Sequence, residues 1–123
     1  MLRRSEPFAV GKYLIALFGI AATIFVQPAP FAFASDLPIV NLTIKAGHFV
    51  PETLQVPAGQ KFKLRVTNEG PGVEEFESSD LNRENIVAPG GTLEIFLGPL
   101  EQGSYGFFGD FHPDTARGRI IAK

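Results

Sequence analysis

Short runs in which apolar and polar side chains alternate dominate the chain from residue 40 onwards. In the clearest run, Phe62, Leu64 and Val66 fall on one side and polar or charged residues fall on the other. Alternation with a period of two is typical of a half-buried β-strand, and the apolar side of such a strand has to be covered by a second layer. Similar runs predict further strands at residues 40–45, 54–56, 73–78, 92–97, 105–108 and 118–122.

Turn residues separate these runs. The tracts 57–59, 68–72, 89–91 and 101–103 contain the glycine, proline or asparagine residues that favour turns between strands. Residues 82–87 are predicted to be either a turn or a short edge strand. Almost no segment repeats with the period of a helix, and about seven short strands at this spacing predict an all-β fold, a Greek-key β-sandwich or barrel.

The first 34 residues have a different pattern. Three basic residues within the first 12 precede an uncharged apolar run at 13–26, and a small-residue site, Ala-Phe-Ala, ends at Ala34. These features are typical of a secretory signal peptide. The run is shorter than the roughly 20 residues of a membrane-spanning helix, and an uncleaved anchor is the alternative. We therefore predict an exported protein with a signal peptide at 1–34, cleaved after Ala34, and a single domain at 35–123.

The predicted mature chain is mildly acidic. The leader holds three of the 11 basic residues and one of the 13 acidic residues, which leaves 8 basic and 12 acidic residues and a net charge of −4 after cleavage. Proteins that bind nucleic acid usually show a basic face, so we expect no nucleic-acid partner. A mildly acidic chain is compatible with a cationic partner such as a metal ion.

The chain contains no cysteine. It therefore forms no disulfide, although the export predicted from its leader would permit one. A type-1 blue-copper centre needs a cysteine thiolate beside two histidines, so the sequence excludes that kind of centre and its fast single-electron transfer.

Several segments of the predicted domain resemble the cupredoxin family. Residues 49–59 resemble the opening segment F-x-P-x-x-L-x-V-P-A-G of those domains. Residues 100–107 resemble the approach L-x-x-G-x-Y-x-F to the copper loop, and residues 118–121 resemble the strand that leaves this loop. The order and spacing of these segments together imply a cupredoxin-like fold over nearly all of 42–122.

The ligand positions implied by this resemblance differ from those of a blue-copper protein. His112 stands where one histidine ligand is expected, whereas Gly109 and Ala116 stand where the cysteine and the methionine are expected. The region of the other histidine reads Val-Glu-Glu-Phe-Glu at 73–77. One of the four ligands is therefore kept, and carboxylates are close to these positions in the sequence.

The tracts 75–77, 83–90 and 109–113 are similar to a narrower group, the periplasmic cupredoxin-like components of iron-permease uptake systems, which include EfeO- and FtrB-type proteins. EfeO-type domains carry cysteines that this chain lacks, so the single-domain FtrB type is the closer match. The resemblance implies a location in the periplasm and a role in ferrous-iron uptake, with ferroxidase activity left open. It also implies an inner-membrane iron permease and other periplasmic uptake components as partners.

The candidate metal ligands are Glu75, Glu77, Asp110 and His112, with His48 as an auxiliary ligand. Imidazole and carboxylate donors suit iron, Cu(II), Zn(II) or Mn(II) and suit Cu(I) poorly, so we expect an iron or copper ion, or both, in a site that is not blue copper. Anionic oxygen donors stabilise Fe(III) more than Fe(II), which favours oxidation of bound iron. Asp110 has a simpler alternative as a turn residue, and His48 as a surface histidine.

Strand parity decides which glutamates take part. Glu75 and Glu77 share one side of the predicted strand, and Phe76 lies on the other. We expect the two glutamates to point toward the interior end of the sandwich, where a buried carboxylate needs a metal or a basic partner. The alternative parity places Phe76 in the core, exposes Glu75 and Glu77, and makes Glu74 the substitute ligand.

The sequence leaves three functions open. The leading hypothesis is a periplasmic protein that binds Fe(II), with or without copper, and promotes its oxidation or its delivery to a permease. The second is a copper-binding chaperone or storage module without catalysis. The third is an interaction domain that binds no metal.

Overall fold

The computed structural model describes residues 36–123, together with Gly11, Val26 and Gln27. Most of the predicted leader and the cleavage site after Ala34 lie outside the described residues, so both stay predictions. In the described part of the chain, no helix is long and apolar enough to cross a membrane.

The described residues form nine strands in two sheets. The strands are β1 (Ile39–Lys45), β2 (His48–Val50), β3 (Thr53–Val56), β4 (Phe62–Asn68), β5 (Glu74–Ser78), β6 (Arg83–Val87), β7 (Thr92–Leu97), β8 (Gly103–Phe108) and β9 (Arg117–Ala122). One sheet has the order β2-β1-β4-β7 and the other the order β3-β9-β8-β5-β6. The pairs β1–β4 and β3–β9 are parallel, and the other pairs are antiparallel. The prediction of an all-β sandwich is therefore confirmed.

The alternation in the sequence matches the burial of the side chains. The apolar residues of β4 are buried between the sheets, and the polar residues between them are partly exposed, except for Asn68 at the strand end. Removing apolar surface from water between two sheets is the main driving force for a sandwich of this kind. Three rings meet in this core, where the ring centroid of Phe107 lies 4.9 Å from that of Phe49 and 5.2 Å from that of Phe76.

Two edge strands add detail to the predicted pattern. β2 has only three residues, which is too short for alternation to reveal it in the sequence. β6 lies at the edge of the five-stranded sheet, so residues 82–87 contain an edge strand rather than only a turn.

Three connections meet at one end of the sandwich. They are the turn at 46–47 between β1 and β2, the loop at 69–73 between β4 and β5, and the loop at 109–116 between β8 and β9. Residues from all three connections line one cleft, together with the first residue of β5. This arrangement brings residues that are far apart in the sequence to a single site.

Candidate metal centre

The parity of β5 places Glu74, not Glu75 or Glu77, on the inner side of the sheet. Phe76 is fully buried against Phe49 and Phe107, and Glu74 shares its side of the strand. Our expectation that Glu75 and Glu77 point toward the interior was therefore wrong. The physical reason is the phenyl ring, because burying a large apolar side chain is favourable whereas burying a carboxylate is costly.

Asn68 organises the loop that leads to Glu74. Its side chain is fully buried, donates from Nδ2 to the carbonyl oxygens of Gly72 (2.8 Å) and Val87 (3.1 Å), and accepts at Oδ1 from the backbone N–H of Gly70 (2.8 Å). These bonds join both ends of the loop 69–73 to the end of β6. The buried amide is thus fully partnered, and it holds the start of β5 in place.

The loop 109–116 is closed by its own hydrogen bonds. The backbone N–H of Gly109 donates to the carbonyl of Ala116 at 2.9 Å, and the N–H of Ala116 donates to the carbonyl of His112 at 2.8 Å. Thr115 Oγ1 donates to the carbonyl of Gly47 at 2.7 Å and ties the loop to the turn between β1 and β2. The loop therefore holds His112 above the cleft at the end of the sandwich.

His112 and Glu74 form a close pair. His112 Nδ1 lies 3.1 Å from both carboxylate oxygens of Glu74, Oε1 and Oε2. The Glu74 side chain is only 6% exposed, whereas the His112 side chain is 48% exposed. The pair thus joins a buried anionic donor to an imidazole that solvent and partners reach.

The pair borders a cleft of about 280 Å³ whose walls are mostly small residues. Gly47 has a positive φ of 71°, and a Cβ there would lie 3.1 Å from Cδ2 of His112. Glycine therefore serves two needs at this position, since it adopts the left-handed conformation without strain and leaves room for the imidazole.

The positions of the two expected sulfur ligands hold no donor side chain. Ala116 is fully buried, and a Cβ at Gly109 would lie 3.0 Å from the carbonyl oxygen of Glu75 and 3.1 Å from Cβ of Ala116. A larger residue at 109 would therefore push against the backbone of β5. The residues present do not fit a type-1 copper ion, because neither sulfur donor exists and the space beside Gly109 is filled.

The other predicted ligands lie elsewhere. Glu75 and Glu77 are on the outer side of the five-stranded sheet, and Asp110 lies in the loop 109–116 that follows β8. His48 is exposed on the side of β2 opposite to the buried Phe49. Within residues 36–123, no three histidine, aspartate or glutamate side chains are grouped closely enough to hold a metal ion. The five predicted ligands are thus not brought together, and metal binding by any of them stays a prediction.

Burial and repulsion act together on Glu75. Its side chain is buried although it faces outward. Burial raises the pKa of the Glu75 carboxyl, and the charges of Glu77, Glu84 and Asp110 raise it further, against a smaller opposing effect of the Asp110 backbone. The outer side of β5 therefore concentrates negative charge.

Sequence reasoning named Glu74 only as a substitute and gave Asn68 no role beyond its loop. The signal for Glu74 was present in Phe76, the one large apolar residue within β5, which dictates the parity of the strand. The signal for Asn68 was weaker, because a polar residue that ends a strand pattern is usually read as part of the following turn.

Sequence comparison relates the chain to known proteins. Residues 14–122 match the sequence profile of a family described as Cupredoxin-like domain. The chain is also 41% identical over 112 residues to a Rickettsia prowazekii protein described as "Uncharacterized protein RP394", and the alignment covers 89% of this chain and 90% of the relative.

Solved structures share the fold at low sequence identity. Auracyanin A, a "blue" copper protein of Chloroflexus aurantiacus, is similar with a TM-score of 0.63 and 14% identity, covering 69% of this chain and 98% of that chain. A purple cupredoxin from Nitrosopumilus maritimus has a TM-score of 0.53 and 21% identity, covering 68% and 99%. The metal-binding domain of a Cu(I)-exporting P-type ATPase of Streptococcus pneumoniae has a TM-score of 0.58 and 15% identity, covering 69% and 84%. At these identities the similarity concerns the fold alone.

Proposed function

The chain belongs to the cupredoxin-like domain family, and we propose that it binds a divalent transition-metal ion through His112 and Glu74 and passes it to a partner. The observation that carries this proposal is the distance of 3.1 Å from His112 Nδ1 to each carboxylate oxygen of Glu74. The pair is hydrogen-bonded at this distance, which is also close to the roughly 3 Å between two donors bound to one metal ion at about 2.1 Å in adjacent octahedral positions. The pair is thus already spaced as two neighbouring ligands.

The exposure of the pair favours exchange over storage. A closed structural zinc site uses four protein ligands, whereas a catalytic zinc site keeps one coordination position open. Here the buried Glu74 and the half-exposed His112 supply two donors, so water or groups of a partner would complete the coordination. An ion held in this way leaves readily, which suits a carrier.

In its specific form, the proposal makes the ion Fe(II), the location the periplasm and the partner an inner-membrane iron permease with other uptake components. The similarity of the tracts around residues 75–77, 83–90 and 109–113 supports this form, and so does the hard character of the donors. The carboxylate of Glu74 stabilises Fe(III) more than Fe(II), so bound iron would be oxidised more easily than free iron.

The two histidines of the chain provide a matched test. Fe(II), under anaerobic conditions, Cu(II) and Zn(II) are titrated by calorimetry into the wild-type protein, His112→Ala and His48→Ala. We expect one site, a loss of affinity of about tenfold or more in H112A, and no change in H48A. Glu74→Gln should weaken binding, and its neighbour Glu75→Gln should not. Equal affinity of H112A and the wild type would refute the proposal, and Cu(II) binding at the pair without Fe(II) binding would favour a copper carrier.

A further inference from the structure

A row of four side chains crosses the outer face of the five-stranded sheet. Arg117 of β9 is in register with Phe108 of β8, Phe108 with Glu77 of β5, and Glu77 with Glu84 of β6. Directly paired residues of neighbouring strands point to the same side of a sheet. The row therefore reads basic, aromatic, acidic, acidic from one side of this face to the other.

The acidic half of this row is not compensated within the chain. Glu77 and Glu84 lie directly opposite each other, an arrangement of like charges that destabilises a sheet. No lysine or arginine of residues 36–123 lies within ion-pair distance of Glu77, Glu84 or Glu75. Arg117 is on the far side of Phe108, so it does not neutralise them in the same molecule. Asp80 lies beside Arg117, where its carboxylate accepts a hydrogen bond from the backbone N–H of Gly106, so the uncompensated charge is confined to the acidic end of the row.

A two-fold axis resolves this separation. Suppose that a second molecule faces the first across a two-fold axis that lies over β8 and runs parallel to the strands. The β5 strand of the second molecule then lies over β9 of the first, and its β9 lies over β5 of the first. Such an isologous contact satisfies both halves at once, because each basic end meets the acidic end of the other copy. Phe108 then lies near the axis. A concavity of about 370 Å³ beside it, with Asp80, Gly106 and Arg117 in its lining, gives room for the other copy's ring.

We propose that a second copy of this chain covers the outer face of the five-stranded sheet, so that Glu77 of each molecule pairs with Arg117 of the other around a central contact between the two Phe108 rings. This surface contains neither Glu74 nor His112, so the inference is independent of the proposed metal site. Five strands about 4.8 Å apart and about 17 Å long give a footprint of roughly 400 Å² per molecule. This area is small for an interface, so the dimer is weak and sensitive to salt.

A charge swap tests the pairing. Sedimentation equilibrium of the protein in EDTA, at low salt and from about 1 µM to 1 mM, should show a reversible dimer. Glu77→Lys and Arg117→Glu should each weaken dimerisation about tenfold or more, since each places like charges at both contacts. An equimolar mixture of E77K and R117E should form a heterodimer, and the double variant should recover the homodimer, because opposite charges then meet again. A monomeric wild type, or single variants that dimerise normally, would overturn the proposal.

A second experiment does not depend on Arg117, whose Nε also donates to the carbonyl of Pro113 at 2.6 Å and supports the loop 109–116. The chain has no cysteine, so a single introduced thiol is unique. Phe108→Cys should be cross-linked into a dimer by a short bis-maleimide. Phe96→Cys, on the outer face of the other sheet, is the control and should react only as a monomer. Equal cross-linking of the two variants would contradict the predicted axis. A dimer that is lost in EDTA, because divalent cations at Glu77 hold the two molecules together, would also contradict it.

Discussion

The carboxylates on the two outer faces of the sandwich differ in whether basic side chains of the same molecule lie beside them. On the four-stranded sheet, Glu94 accepts a hydrogen bond from Arg65 Nη2 at 2.7 Å and lies 3.4 Å from Lys63 Nζ. On the five-stranded sheet, Glu77 lies opposite Glu84, and within residues 36–123 neither has an ion-pair partner. The first face is compensated within one molecule. The second face carries repulsion that its own strands do not relieve.

The pKa shifts point in opposite directions on the two faces. The hydrogen bond from Arg65, helped by Lys63, holds the pKa of Glu94 below its ordinary value. Burial and the neighbouring acidic groups hold the pKa of Glu75 above its ordinary value. The acidic end of the five-stranded sheet therefore differs from the four-stranded face in having no basic side chain of residues 36–123 within ion-pair distance.

Charge reversal should have opposite effects on the two faces, and this is the largest effect we expect on the stability of the monomer. Glu77→Lys removes the repulsion with Glu84 and should raise the free energy of unfolding by roughly 0.5–1 kcal/mol. Glu94→Lys brings a third cation beside Arg65 and Lys63 and should lower it. Urea unfolding at about 1 µM protein, where the weak dimer is dissociated, measures both. If both variants shift the midpoint in the same direction, the contrast between the faces is wrong.

Neutralising Glu75 should stabilise the protein near pH 7. Because the pKa of Glu75 is raised in the folded protein, the folded state binds its proton more tightly, and stability falls as pH rises from the ordinary value of 4.5 through the raised pKa. Glu75→Gln removes this loss and keeps the size and shape of the side chain. The variant should therefore have a higher urea midpoint at pH 7, and its advantage should vanish below about pH 4.

Glu52→Gln is a matched control for this measurement, because Glu52 is exposed in the turn before β3. Its midpoint at pH 7 should change less than that of Glu75→Gln, because the side chain is exposed. The measurements are made in EDTA so that metal binding at the neighbouring Glu74 does not contribute. A Glu75→Gln midpoint equal to the wild-type midpoint at pH 7 would show that burial and the neighbouring charges do not destabilise the Glu75 carboxylate.

The fold could be predicted from the sequence because most strands show an alternation of apolar and polar residues, and this local pattern recurs along the chain. The apolar side of β4 identifies the core, and the glycine and proline tracts separate the strands at nearly their observed limits. β2 was missed because three residues carry too little periodicity. The cupredoxin-like character was recognised from the order of several segments and is confirmed by the family match.

The site could be predicted only in part because it depends on contacts across the fold. His112 was found from its position in the loop, but its partner lies 38 residues earlier and depends on the parity of β5. A tract with three glutamates offers two parities, and the choice rests on how well Phe76 fits between Phe49 and Phe107. The row from Arg117 to Glu84 was equally hidden, because it joins four strands whose register only the assembled sheet reveals.

The smallest expected effect is at Glu94, and it has the opposite pH dependence to Glu75. A lowered pKa in the folded protein contributes stability that is present above the unfolded pKa of this carboxyl and is lost as pH falls through the folded pKa. Glu94→Gln should therefore lower the urea midpoint slightly at pH 7 and match the wild type in acid. The effect stays small because exposed ion pairs gain little in water and are screened by salt, so about 0.5 M NaCl should reduce it further. At pH 7 the urea midpoints of E75Q and E94Q should differ from that of the wild type in opposite directions, and both differences should become smaller in acid. This outcome would establish that the two faces differ in charge compensation. A Glu94→Gln difference that grows in acid would instead show that the side chain acts through packing on its sheet rather than through its charge.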